Sequence, residues 1–157
     1  MNKVAIFVDV QNIYYTTRDT FKKSFNYRAF YSSISEKSEI IYANAYAIDS
    51  NNDSQHKFQT ALKHIGFNVK LKPYIQRSDG SAKGDWDVGI TIDVLDAAPE
   101  VDEIILLSGD GDFALLLDTV KYKYDCKCSV YGVLNLTANA LINSADEYID
   151  IDTKWLM

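Results

Sequence analysis

Four aspartates stand where an α/β chain places its chemistry. Asp9 closes the apolar run Lys3–Val10, Asp110 and Asp112 flank Gly111 just after the apolar run Glu103–Leu107, and Asp87 lies at the start of the helical pattern Trp86–Ala97. Ligand sites in open α/β sheets form in the crevice beyond the carboxyl ends of the strands. If the strands before Asp9 and Asp110 are neighbours, the acids converge on one cleft. Two carboxylates ~4 Å apart repel by about 4 kcal/mol at an effective dielectric near 20. Three or four stay ionised together only with a cation or shared protons. An oxygen-only donor set with open positions suits Mg²⁺ or Mn²⁺ rather than zinc. The chemistry open to such a site is attack of a metal-activated water on phosphorus, the cation also bearing transition-state charge.

Each acid has a plainer use. Asp is a favoured N-cap, so Asp9 or Asp112 could simply start a helix. Capping accounts poorly for two acids around Gly111, where a small residue lets backbone approach a ligand closely. At ~100° per residue, Asp87 falls between Ile90 and Thr91, beside Val94, within the apolar arc of its helix. Asp93 and Asp96 fall on the other side and are expected to be solvated. Asp85 is the expected N-cap, which leaves Asp87 free for the cleft, although a shifted helix start would exchange the two.

The elements that must position these acids alternate. Lys3–Val10 is nearly continuous apolar, as for a strand buried on both faces. Helices are expected over Ile13–Phe25 and Tyr27–Glu36, with Asn26 as N-cap. A strand over Glu39–Ile48 precedes a helix over Ser54–Ile65, which Gly66 should terminate. The strand Asn68–Tyr74 leads into a polar loop, Gln76–Gly84. After the helix Trp86–Ala97, stopped before Pro99, come the strand Glu103–Leu107, the helix Phe113–Tyr124, the strand Lys127–Gly132 and the helix Thr137–Ala145. Glu147–Ile151 ends the series as a short edge strand. Alternation of this kind predicts one three-layer α/β domain, Rossmann-like, with a mostly parallel sheet covered on both faces.

Composition narrows the class. The chain has 157 residues, 47% of them hydrophobic, with seven Gly and two Pro, which excludes disordered and collagen-like proteins. Sixteen Lys and Arg against 22 Asp and Glu give a formal charge of −6. A polyanion is therefore repelled on average and needs local basic patches or bound cations. The run Val4–Val8 is too short for a signal peptide or membrane span, so a cytoplasmic protein with no membrane partner is expected. Cys126 and Cys128, two residues apart, fit neither C-x-x-C redox chemistry nor a zinc site, and read as buried thiols. A phosphoaspartyl hydrolase would want an acid where Gln11 stands. The phosphate loop is missing, and Gly109 and Gly111 do not extend to G-x-G-x-x-G.

Three stretches together resemble the NYN domains, the LabA-like branch of the PIN-type nuclease superfamily. They are Phe7-Val8-Asp9-Val10-Gln11-Asn12, Lys83-Gly84-Asp85-Trp86-Asp87-Val88 and Ser108-Gly109-Asp110-Gly111-Asp112-Phe113, and the similarity continues through Ala145-Asp146-Glu147-Tyr148-Ile149. The resemblance implies a PIN-like fold over residues 1–157 and a Mg²⁺- or Mn²⁺-dependent ribonuclease site. In it Asp9, Asp87 and Asp110 are the principal metal-binding acids, and Asp112 contributes directly or through water. Asn12 orients the surroundings of Asp9 or a water, Ser108 holds the following loop or touches phosphate, and Lys83 meets the substrate backbone. Members of the family often carry an added RNA-binding module. None of these residues reads as one, so targeting is expected from a separate protein or a homo-oligomer.

Basic residues cluster in two places. Lys70, Lys72, Arg77 and Lys83 precede Asp87, and Arg77 and Lys83 are candidate contacts to single-stranded RNA. Arg18, Lys22, Lys23 and Arg28 lie near Tyr14, Tyr15 and Tyr27, rings that could stack on bases. The plainer expectation is that Tyr14, Phe21, Phe25, Phe30 and Tyr31 pack helices onto the sheet. Fold alone does not decide function, and the rival reading is a non-catalytic regulator or scaffold that keeps the acidic pocket for a metal or a partner.

Overall fold

The structure, a computed structural model, describes residues 1–49, 52–73, 75–76, 82–83 and 85–157. Eight strands follow in chain order: β1 (Asn2–Asp9), β2 (Ser38–Asp49), β3 (Asn68–Pro73), β4 (Ile75–Gln76), β5 (Ala82–Lys83), β6 (Glu103–Leu107), β7 (Lys127–Gly132) and β8 (Glu147–Asp150). The helices are α1 (Val10–Phe21), α2 (Tyr27–Ser35), α3 (Asp53–Ile65), α4 (Asp87–Ala97), α5 (Ala114–Tyr124) and α6 (Asn139–Ser144).

Residues 4–8 of β1 are fully buried. A strand without polar alternation must be covered on both sides, and β1 is. Val4, Ile6 and Val8 pack in one layer with Ile13 of α1, Phe30 of α2 and Leu62 of α3. Ala5 and Phe7 pack in the other with Ile90 of α4, Leu117 of α5 and Leu141 of α6. The result is a three-layer α/β fold whose six-stranded sheet has the order β3-β2-β1-β6-β7-β8. Every pair in it is parallel, including the edge strand β8. The chain winds outward from β1 to β3, then returns through α4 to β6 and winds outward again. The reversal between β1 and β6 is the topological switch point, where an open α/β sheet leaves a crevice.

Several boundaries differ from the sequence expectation. Helix α1 starts at Val10, directly off β1, and ends where Lys22 takes the left-handed conformation (φ 58°). Phe25, expected inside it, instead bridges to Leu156. Helix α6 is shorter than Thr137–Ala145, because the Thr137 hydroxyl donates to the Val133 carbonyl and closes a 3₁₀ turn over Leu134–Leu136. The stretch expected as a loop carries the antiparallel pair β4–β5. Asn26 and Gly66 cap as expected: Asn26 accepts the Ala29 N–H, and Gly66 ends α3 at φ 135°. Cys126 and Cys128 are buried and free, and desolvation first of all pushes their thiols up to about 11 and 12. Among the described residues no helix is long and apolar enough to cross a membrane.

Candidate metal centre

The two-residue pleat decides what meets at the switch point. In β1 the α4-facing series is Ala5, Phe7, and its next member is Asp9. In β6 it is Ile104, Leu106, and its next member is Ser108. Val8 pairs with Leu107 in register, so Asp9 and Ser108 follow side by side. The Ser108 hydroxyl donates to Asp9 Oδ2 at 3.1 Å and accepts the Asp110 N–H at 3.2 Å. Ser108 is 0% exposed, so its bonds are those of a residue that holds the loop.

Asn12, in the first turn of α1, accepts the Gly109 N–H on its Oδ1 at 2.9 Å. Its side chain thereby ties α1 to the loop after β6, while its backbone N–H favours the Asp9 anion. Asp9 stands at the N-cap position without a fully formed side-chain capping bond, and the pull of the Asn12 N–H on its carboxylate is that of a weak cap. Asp110 does cap: its Oδ1 accepts the Asp112 N–H at 2.9 Å and starts the 3₁₀ turn Gly111–Phe113. The two glycines of this loop serve chain packing. A Cβ at Gly109 would lie 2.5 Å from the Leu136 carbonyl oxygen, and one at Gly111 would lie 2.8 Å from the Ala138 Cβ. The close approach expected of a ligand at Gly111 is thus made by the protein's own chain, and Ala138 N–H seals it by donating to the Gly109 carbonyl.

Asp87 reaches the same place from the helix layer that Asp9 faces. It is the first residue of α4, on the face that buries Ile90, Val94 and Ala97. The N-cap is Trp86 rather than Asp85, and it makes no side-chain capping bond. Trp86 fixes the helix start differently. Its Nε1 donates to the Ala47 carbonyl of β2 at 2.9 Å, its ring packs edge-on to Tyr46, and Lys72 lies over it while donating to the Asp85 carbonyl. Sequence reasoning missed this anchor. A tryptophan beside the motif acid, followed at Gly89 by the one residue small enough to pass its ring, was the available signal.

One carboxylate oxygen from each of Asp87, Asp110 and Asp112 lies within 4.8 Å of the others. Asp9, expected as a principal ligand, is outside this trio but close enough to act electrostatically on Asp87 and Asp110. Burial, first of all, pushes the Asp9 carboxyl up to about 6; Ser108 and the Asn12 amide pull it back, and the charges of Asp110 and Asp85 add to the rise. Burial likewise raises Asp87 to about 7, followed by the charge of Asp110, a hydrogen bond shared with it, and the charges of Asp85 and Asp9. Burial and crowding together oppose ionisation of Asp9 and Asp87, and a cation among the acids would relieve both. The donor set is all oxygen and compact, which fits a hard divalent cation.

Arg77 lies outside the described residues, as does the Lys83 side chain. Asp96 is exposed as expected. Asp93 is not solvated: it accepts from the Tyr46 hydroxyl at 2.7 Å and from Lys70 Nζ at 2.6 Å. Lys70 comes from β3, and only the sheet order brings it to α4.

A doubly wound α/β fold with acids from β1, α4 and the loop after β6 gathered at its switch point defines the class. The chain belongs to the NYN domain family, whose model matches residues 3–152. It is 30% identical to the Low amplitude and bright protein LabA of Synechococcus elongatus, over 96% of this chain and 84% of that protein. The crystal structure of a protein of unknown function from Vibrio parahaemolyticus superposes with a TM-score of 0.95. That protein is 51% identical, and the match covers 99% of this chain and 96% of that one.

Proposed function

We propose that residues 1–157 form one metal-dependent ribonuclease domain that hydrolyses phosphodiester bonds of single-stranded RNA. The observation that carries this reading is the trio of carboxylate oxygens from Asp87, Asp110 and Asp112 within 4.8 Å at the switch point. Membership of a family within the PIN-type nuclease superfamily supports it. Asp87, Asp110 and Asp112 would hold Mg²⁺ or Mn²⁺, with Asp9 adding negative charge beside them or joining as a further ligand. When bound, the cation supplies a lowered pKa for an attacking water and offsets charge growing on phosphorus. The chain's own part is positional. Ser108 fixes Asp9 and the Asp110 backbone against each other, Asn12 fixes the loop through Gly109, and Trp86 fixes Asp87. Two free buried thiols fit a reducing compartment, and we place the protein in the cytoplasm.

The test is cleavage of labelled single-stranded RNA by purified protein with Mn²⁺ and with chelator. Asp9→Asn and Asp110→Asn should each lower the rate at least about a hundredfold, as loss of several kcal/mol of charge stabilisation implies. A folded protein that binds Mn²⁺ and cleaves none of a varied set of RNAs would turn the assignment to the regulator or scaffold.

A further inference from the structure

Helix α1 shows solvent a face that the core does not explain. Val10, Ile13, Thr16 and Thr17 are buried against the sheet, whereas Tyr14 and Tyr15, on the outer side, are 46% and 60% exposed. Tyr14 was expected to pack, and it does not. The two rings meet edge-on, with centroids 5.4 Å apart, and the Arg18 guanidinium stands over Tyr14 at 5.9 Å. With Asp19 and Lys22 they form one continuous stripe along the outer side of the helix. The helix dipole favours cations near its C-terminus, which accounts for Arg18 and Lys22 and not for two adjacent rings held in water.

This stripe starts within a turn of Asn12, whose side chain is bonded to the loop that carries Asp110 and Asp112. Helix α1 follows Asp9 directly and carries Asn12 in its first turn; at 1.5 Å per residue, Lys22 lies about 15 Å along the axis from Asn12. We infer that this face of α1 is the track on which the single strand of an RNA substrate lies, with bases stacked on Tyr14 and Tyr15 and phosphates met by Arg18 and Lys22. The identity of the ligand rests on the ribonuclease reading above. Charge supports it locally: two cations and one acid lie on this stripe of a chain whose formal charge is −6. Exposed aromatic faces select splayed bases, because those of an A-form duplex are stacked on one another.

The test is fluorescence anisotropy of a labelled oligouridylate with the full chain in chelator, where cleavage does not occur. Tyr14→Ala with Tyr15→Ala should weaken binding about tenfold or more, while Tyr15→Phe keeps the ring and the affinity. Arg18→Gln with Lys22→Gln should reduce the slope of log affinity against log salt by about 1.4. The inference is overturned if the double alanine variant binds like the wild type, if the wild type binds no RNA at low ionic strength, or if a duplex binds better. It is also overturned if the chain sediments as a dimer that Tyr15→Ala dissolves, since a second copy would then cover this face. The two readings separate. Tyrosine-dependent binding without Mn²⁺-dependent cleavage keeps the track and removes the nuclease; cleavage with binding indifferent to the tyrosines does the reverse.

Discussion

The Ser108 hydroxyl is bonded to Asp9 one step beyond the last register pair of β1 and β6. It joins the two halves of the sheet at the point where the chain reverses its direction of winding. Because the same oxygen accepts the Asp110 N–H, one buried hydroxyl sets the distance between an acid on β1 and the loop that carries two more. The acid cluster therefore inherits its geometry from the sheet register.

Ser108→Ala should be costly for its size. It strips a donor from Asp9 and an acceptor from the Asp110 amide in a fully buried position, a loss of about 1–3 kcal/mol. Urea denaturation measures this. Mn²⁺ titration should show weaker binding as well, and unchanged stability and affinity would mean that the loop is held by Asn12 and the Leu136–Ala138 segment alone.

Metal binding should show in stability without any substrate. A cation that binds only the native chain adds RT ln(1 + [L]/Kd), about 2.7 kcal/mol at a hundred times Kd, or very roughly 5–10 °C in Tm for a domain of this size. Asp87→Asn relieves repulsion, so it should be neutral or stabilising in chelator and lose most of the Mn²⁺ response. Asp85→Asn should keep that response. Screening is removed by matching ionic strength. An equal Mn²⁺ response in wild type and Asp87→Asn would show that Asp87 is no ligand.

The pH dependence has a definite sign. Asp9 titrates at about 6 in the fold against an ordinary 3.8, so the folded chain binds this proton more tightly. The contribution is complete below the unfolded value and disappears as pH rises through about 6. In chelator, stability should fall between about pH 4 and pH 7 by at most about 3 kcal/mol on account of Asp9. Asp9→Asn should remove that part of the fall. With Mn²⁺ the trend should oppose it, since metal ligands must be deprotonated. Parallel pH profiles of wild type and Asp9→Asn in chelator would contradict the raised Asp9.

Much of this was legible because it follows from local pattern. Unbroken apolar runs marked β1 and β6, and an acid just after each marked the switch point; 100° spacing placed Asp87 on the buried face of α4. What was not legible depends on topology or on one residue of boundary. Asp93 looked solvated because its partner Lys70 is brought to it by sheet order from 23 positions away. Asp85 looked like the cap because helix starts cannot be read to a single residue. Tyr14 looked like core because aromatic rings near a helix more often pack than stand in solvent, and its place on α1 turns it outward. Ser108 was within reach of parity alone, as the next α4-facing residue after Ile104 and Leu106.

Gly89 offers a test in which two effects have opposite signs. Replacing a helix-interior Gly by Ala ordinarily stabilises by about 1 kcal/mol. Here the new Cβ would stand 2.5 Å from Cε3 of Trp86. The ring cannot swing aside freely, being held by the bond to Ala47, the contact with Tyr46 and the Lys72 ammonium over its face. Overpacking of this kind costs about 1–3 kcal/mol, so the clash should win or at least cancel the gain. Strain would be relieved by moving the first turn of α4, and with it Asp87, so the Mn²⁺ response of Gly89→Ala should shrink as well. Trp86→Leu is expected to be destabilised on its own account, but in that background Gly89→Ala should recover its ordinary sign and stabilise. A double-mutant cycle by urea denaturation should therefore give a coupling above about 1 kcal/mol between two residues three apart on one helix. A Gly89→Ala single variant more stable than wild type, with its Mn²⁺ response intact, would show that Trp86 does not fix the start of α4.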